Sequence, residues 1–218
     1  MRFVKARLRR SLARLRSRLR FRTLRKERHL LLDIGGSTLG WVSLDIDPGL
    51  SGIRMDASRR WSLPDGCAAA IRSEHMIEHL TWSHAEVFVR EAFRVLEPAG
   101  ILRICTPDLE AISRAYLARD PHLLDAHRVD YEAPTWSHLT NNMMRMWGHR
   151  FMFDFEAVSY LLGSVGFVEI ERCTFNQSRY SLFAGNDVHK YTGELAPVAD
   201  LILSIDAMKP AARTPTAP

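Results

Sequence analysis

Two histidines and two glutamates crowd into the seven residues Ser73-Glu74-His75-Met76-Ile77-Glu78-His79, and His149 stands far downstream in another polar stretch. Imidazole titrates near neutrality, so His75, His79 and His149 are candidates to take the proton of a hydroxyl or a protonated amine, with His75 and His149 the first choices. Further upstream, Asp33-Ile34-Gly35-Gly36 ends an apolar run on two glycines. Without a Cβ the backbone can approach a ligand closely there, and strand-end amides can meet a carboxylate. Asp45, Asp47, Asp56 and Asp108 follow other short apolar runs. Each can accept charge-assisted bonds from a ligand's hydroxyls or amines, or orient a substrate.

These groups need a scaffold that gathers strand ends. Apolar runs at 29–34, 41–46, 52–55, 68–73, 101–105, 167–173 and 201–207 read as buried strands. From Ser83 to Leu96, Val87, Val89, Phe93 and Leu96 alternate with charged residues at helical spacing, and Pro98-Ala99-Gly100 is expected to stop that helix. Further helices are expected at 109–117, 121–129, 138–146 and 154–165, the last capped by Asp154 and stopped at Gly166. Alternating strands and helices imply an α/β sandwich around a mostly parallel sheet, whose ligands bind at the carboxyl ends of the strands. Only about six residues separate the first two strands, whereas a parallel crossover normally takes about a dozen or more.

In order along the chain, Leu63-Pro64-Asp65, Ser73 to His79, Arg94-Val95-Leu96-Glu97-Pro98-Ala99-Gly100, Arg103 to Glu110 and Gly148 to Phe167 form a set of motifs. As a set they resemble the central part of class I S-adenosylmethionine (SAM)-dependent methyltransferases of the type-11-like bacterial branch. The resemblance covers roughly residues 29–208. It implies a Rossmann-like, seven-stranded, mostly parallel sheet with helices on both faces, a three-layer sandwich whose final strand is antiparallel. SAM is the implied cofactor, held by Asp33, Gly35, Gly36, Asp45, Asp56, Ala57, Ser73 and Glu74. Within that resemblance Asp45 matches the acid that meets the ribose hydroxyls, and Asp56 with Ala57 matches the pair beside the adenine. A small-molecule or glycan acceptor is implied, with a lid insertion at about 109–153 whose Trp136, His138, Asn141, Asn142 and Trp147 suit a polar ring. His75 to His79 also spell HxxEH, an inverted zinc-peptidase pattern. That pattern needs a long helix, whereas here it follows a strand and precedes the Thr81-Trp82-Ser83 break, so no residue is assigned to a metal. Some relatives do place a divalent ion near this Glu-His pair, but their upstream glutamate is His75 here.

Composition sets the remaining expectations. The chain has 218 residues, 46% of them apolar, enough for one domain with a real core. Its three cysteines lie far apart and suggest neither a disulfide framework nor a metal site. Residues 1–28 carry thirteen Lys and Arg against one acid, leaving seventeen bases against twenty-four acids in the remainder. A basic arm over 1–28, a methyltransferase-like domain over 29–209 and a disordered Pro/Ala/Thr-rich tail over 210–218 are the expected divisions. Val4, Leu8, Leu12, Leu15 and Leu19 recur at helical intervals on the arm, which suits an amphipathic helix on an anionic membrane surface. RNA is the less favoured partner of the same charge. The expected location is cytoplasmic, with the arm peripheral on the inner membrane surface. Two competing readings remain open: a degenerate, non-catalytic methyltransferase fold serving as a scaffold, favoured by the short first connection and by Ala68-Ala69-Ala70, and an RNA methyltransferase anchored by the arm.

Overall fold

The computed structural model describes residues 16–47, 52–121, 132–187 and 199–212. The strands are β1 (Leu30–Ile34), β2 (Val42–Asp45), β3 (Ile53–Arg54), β4 (Ala68–Glu74), β5 (Leu96–Pro107), β6 (Val168–Cys173) and β7 (Ile202–Met208). They form one sheet in the order β3-β2-β1-β4-β5-β7-β6, in which β7 runs antiparallel to both of its neighbours and the pairs from β3 to β5 are parallel. The fold is Rossmann-like α/β, with the antiparallel strand late in the chain as expected. Strand order reverses between β1 and β4, so a crevice outside the carboxyl ends of these two strands is the position where such sheets bind ligands.

The helices are α1 (described over 16–24), α2 (Trp82–Val95), α3 (Leu109–Ala118), α4 (Trp136–Arg145) and α5 (Phe155–Val165). Thr81 caps α2 through His84 N–H, and Asp154 caps α5 through Ala157 N–H at 2.8 Å, while Gly166 ends α5 in the left-handed region at φ 103°. The helix expected at 121–129 lies, apart from Pro121, outside the described residues. One boundary differs from the sequence pattern. Helix α2 ends at Val95 because Leu96 is already extended, and Pro98-Ala99-Gly100 lies inside β5 instead of ending the helix. A register shift between Ala68 and Ala70 absorbs the extra residues, so the stop signal acts as a bulge.

The two faces of the sheet differ in chemistry because side chains alternate along each strand. Leu32, Ile34, Ile71, Leu102, Ile104, Ile205 and Ala207 pack with Phe88, Val89, Ala92 and Val95 of α2 and with Val158, Leu161 and Leu162 of α5. Burying each large side chain in that layer contributes about 1.5–3 kcal/mol. The other face carries a charge on strand after strand at one level: Asp33 pairs with Arg72, Arg72 with Arg103, Arg103 with Asp206, and Asp206 with Glu171. Over β5 and β7 the segment 174–187 covers this row. Asp187 bonds Arg103 through both carboxylate oxygens, Ser178 Oγ donates to Asp206, and Phe183 stacks on Trp41 at 6.0 Å.

The second half of the basic segment is docked on the domain. Arg54 N–H of the edge strand β3 donates to Ser17 Oγ at 2.8 Å, Arg25 Nε donates to the Ser62 carbonyl at 3.1 Å, and Leu24 is fully buried in the main core. Helix α1 thus shields a sheet edge that would otherwise invite pairing. Its apolar inner face is Phe21 and Leu24, whereas Leu19, on the outward stripe, is 54% exposed.

Candidate functional site

Four strand ends meet along one edge. Gly35 follows β1 at φ 84°, and its N–H donates to the Leu44 carbonyl of β2 at 2.9 Å. Met55 N–H donates to the Asp45 carbonyl at 2.8 Å, which sets Asp56 beside the end of β2. His75 N–H donates to the Cys105 carbonyl at 2.9 Å, so the β4–β5 ladder runs one residue beyond Glu74. The connection between β1 and β2 is the turn 35–41, held by Trp41 N–H on the Thr38 carbonyl and by Ser43 Oγ on the Gly36 carbonyl at 2.6 Å. A parallel pair joined by so short a turn lacks a crossover helix and the anion-binding amides at its start.

The glycines of this turn are required by close contacts. A Cβ on Gly36 would lie 2.3 Å from Asp33 Oδ1, and one on Gly35 would lie 2.8 Å from Met76 Cβ. Asp33 is 1% exposed and accepts the Thr38 N–H on Oδ2 at 2.7 Å, while its Oδ1 has no hydrogen bond among the described residues. Ser73 is buried likewise, and its Oγ also lacks one. Unpaired buried oxygens cost free energy unless something completes them. Asp45 Oδ1 accepts the Asp47 N–H at 2.7 Å and the residue is partly exposed. Both oxygens of Asp56 are engaged in its own turn, Oδ1 by Ser58 and Oδ2 by Arg59 at 2.9 Å. Burial alone would raise the Asp56 carboxyl, but the Ser58 bonds and the Arg59 charge outweigh it and hold it below its ordinary value. Ala57 packs against the core. Glu74 Oε2 is bound by Arg72 at 2.5 Å, and Arg72 also donates to Thr38 Oγ1, tying β4 to the glycine turn.

The three histidines converge on one carboxylate. A short 3-10 turn, Ile77–His79, follows β4 and leaves Glu78 fully buried. His75 Nδ1 is 3.1 Å from Glu78 Oε1, and Thr106 Oγ1 donates to Glu78 Oε2 at 3.1 Å. Arg150 N–H donates to the Glu78 carbonyl at 2.8 Å, which pins the segment after α4 to this turn. Trp147 and Gly148 turn the chain through the left-handed region at φ 57° and 87°, and the His149 ring then lies edge-on to His79 at 5.0 Å. His75 itself sits at φ 48°, a costly conformation for a side-chain-bearing residue, of the kind that clusters at functional sites.

Environment separates these imidazoles. Burial opposes the charged form of His75, yet the hydrogen bond and charge of Glu78, with Glu74 and Asp187 beyond, raise its pKa above the ordinary value. Burial likewise works to raise the Glu78 carboxyl, but His75 holds it down. Burial lowers His149, against the Met143 carbonyl that its Nδ1 meets at 2.6 Å. A carbonyl only accepts, so Nδ1 of His149 carries the proton and Nε2 presents a lone pair. The surroundings thus favour the neutral form of His149 and the protonated form of His75.

Several groups stand out only in three dimensions. Arg72 and Thr38 join the glycine turn to Glu74, and Thr106 orients Glu78. The one sequence signal for the arginine was a lone charge inside the apolar run AAAIRS. Asp108, a candidate to orient substrate, instead caps α3 through Glu110 N–H at 2.9 Å and pairs with Arg172. It is buried and committed to structure.

No protein-family model matches the chain and no curated protein matches it. Among solved structures, a SAM-dependent methyltransferase from Archaeoglobus fulgidus is 19% identical with a TM-score of 0.49, over 95% of this chain and 94% of that one. A SAM-dependent methyltransferase from Mesorhizobium loti is 16% identical with a TM-score of 0.48, over 87% and 95%. Human N-acetylserotonin methyltransferase, solved with SAM, is 13% identical with a TM-score of 0.47, over 84% of this chain and 48% of its own.

Proposed function

We propose that this chain is a SAM-dependent methyltransferase of class I type, acting on a small-molecule or glycan acceptor. The observation that carries the reading is the placing of Gly35 and Glu74 at the switch point of the sheet, with Asp45 and Asp56 at the two strand ends beside it and a histidine cluster following Glu74. The donor chemistry fits the cofactor: two buried oxygens, Asp33 Oδ1 and Ser73 Oγ, have no hydrogen bond among the described residues, and Asp45 is partly exposed at the end of β2. SAM supplies an electrophilic methyl group when bound. Gly35 and Gly36 would admit its amino-acid end, Asp45 would accept from the ribose hydroxyls, and Asp56-Ala57 would flank the adenine. His149 would take the acceptor's proton at Nε2, with His75 and His79 shaping the acceptor side. The enzyme's remaining work is alignment and exclusion of water. Similarity to the type-11-like bacterial branch belongs to this proposal.

Calorimetry of the folded chain with SAM and S-adenosylhomocysteine tests it. Asp45→Ala is expected to weaken SAM binding about 10–100-fold, the loss of one or two bonds to a charged acceptor. The short β1–β2 turn favours a second reading, a non-catalytic scaffold, and absence of binding at millimolar ligand with the protein folded would reject the methyltransferase reading and favour that one.

The basic segment supports a peripheral membrane role. Among the described residues no helix is long and apolar enough to cross a membrane. Arg16, Arg18, Leu19 and Arg22 of α1 are exposed, while Phe21 and Leu24 face the core, so charge and one apolar side chain point outward together. Each base near an anionic surface contributes about 1 kcal/mol. Arg18→Glu with Arg22→Glu is expected to weaken co-sedimentation with anionic liposomes at least about tenfold. Unchanged sedimentation, or loss of RNA binding alone, would reject the membrane assignment.

A further inference from the structure

We propose that Glu78, His79 and His149 bind a divalent transition-metal ion. One donor atom from each lies within 4.8 Å of the other two. An ion with bonds of about 2.0–2.2 Å holds its donors roughly 3–4 Å apart, so small side-chain rotations complete the site.

The surroundings are those of a ligand set held in advance. Nδ1–H of His149 is fixed on the Met143 carbonyl, which leaves Nε2 as the nitrogen with a lone pair for an ion, and an outer hydrogen bond of this kind is what orients metal-bound imidazoles. Each oxygen of Glu78 has an outer partner, His75 on one and Thr106 on the other, and keeps a further lone pair for an ion. Backbone bonds from Arg150 and Phe151 to the Glu78 carbonyl, at 2.8 and 3.3 Å, bring the two halves of the site together without help from an ion. His75 belongs to the outer layer: its Nδ1 faces Glu78 Oε1, so the peptidase arrangement of two helix-borne histidines does not form.

Two imidazoles with one carboxylate select zinc, cobalt, nickel or ferrous iron, because magnesium and calcium require oxygen donors. Three protein ligands leave at least one position for water or for an acceptor oxygen; with the ion bound, Nε2 of His149 no longer takes a proton, and the ion would polarise the acceptor oxygen in its place. The site rests on this cluster alone and is tested without cofactor, so its failure and the failure of the methyltransferase reading are separate results.

The experiment uses the untagged full chain, stripped with chelator, then titrated with Zn2+ by calorimetry and with Co2+ by visible absorption. The expected result is uptake of one ion per chain, with Co2+ bands of a site of low coordination number. His79→Ala and His149→Ala, each confirmed folded by circular dichroism, should lower Zn2+ affinity by at least the ~10–100-fold that loss of a mere outer partner costs. His84→Ala, on the exposed side of α2, should leave it unchanged. The proposal is overturned if the folded wild-type chain takes up no stoichiometric ion, or if either folded histidine variant binds Zn2+ as tightly as the wild type.

Discussion

Arg103→Met should lower the stability of the protein by about 3–5 kcal/mol, the cost of removing one partner from a buried ionic set. Arg103 is 1% exposed. It grips Asp187 through two bonds of 2.7 and 2.5 Å, reaches Asp206 at 2.7 Å, and donates to the Gln177 carbonyl at 3.1 Å. Burial works against the guanidinium charge, but Asp187 and Asp206 hold it firmly protonated. Methionine fills much of the same volume and leaves two buried carboxylates facing each other. Arg103→Lys keeps the charge but loses the fork, so it should fall between the two. Urea denaturation followed by far-ultraviolet circular dichroism reads the loss. The same variant should free segment 174–187 from the sheet, seen as new proteolytic cleavage there, because Asp187 also accepts the Asn176 N–H at 2.7 Å. A loss below about 1 kcal/mol, the range of exposed pairs, would show that water screens these groups.

Gly35→Val should cost about 2–5 kcal/mol and abolish measurable SAM binding. Left-handed backbone with a Cβ costs about 1–2 kcal/mol, and forced overpacking adds about 1–3. Gly35 sits at φ 84°, with Met76 Cβ and Cγ only 2.8 and 3.0 Å from where its Cβ would stand. Gly40 gives the control, since it has the same φ and nothing within 4 Å. Gly40→Ala should show only the backbone cost and leave SAM affinity alone. A double-mutant cycle separates the two contributions: Met76→Gly, which removes both Cβ and Cγ, should recover the steric share of Gly35→Val and none of its conformational share. Calorimetry with SAM and urea denaturation measure both sides. If Gly35→Val binds SAM like the wild type, the glycine turn is no part of a cofactor site.

Much of the scaffold was legible because strands and helices announce themselves through local periodicity. The runs LLLDI, VSLD and ILSIDA became strands and Asp154 and Gly166 bounded α5, while the seven-stranded sheet was what the family resemblance implied. The misplaced stop at Pro98 to Gly100 has a clear cause. Proline and glycine end a helix in isolation, but a neighbouring strand can accept them as a bulge when pairing on either side continues. At Asp108 the residue after a strand is also the residue before a helix, and capping α3 engages its carboxylate. A lone charge inside each of LLLDI, AAAIRS and ILSIDAM is visible in the sequence. That Asp33, Arg72, Arg103 and Asp206 form one row is not, because it depends on strand order and register.

The linear chain was sufficient to decide which segments extend, which coil, and which polar residues lie at strand ends, since each is a matter of neighbours a few positions away. The meeting of Glu78 and His79 with His149 was decided only when the turn after α4 folded back onto the turn after β4. Contacts between residues so distant in the chain are fixed by packing of the whole sheet and its helices, which no local pattern encodes.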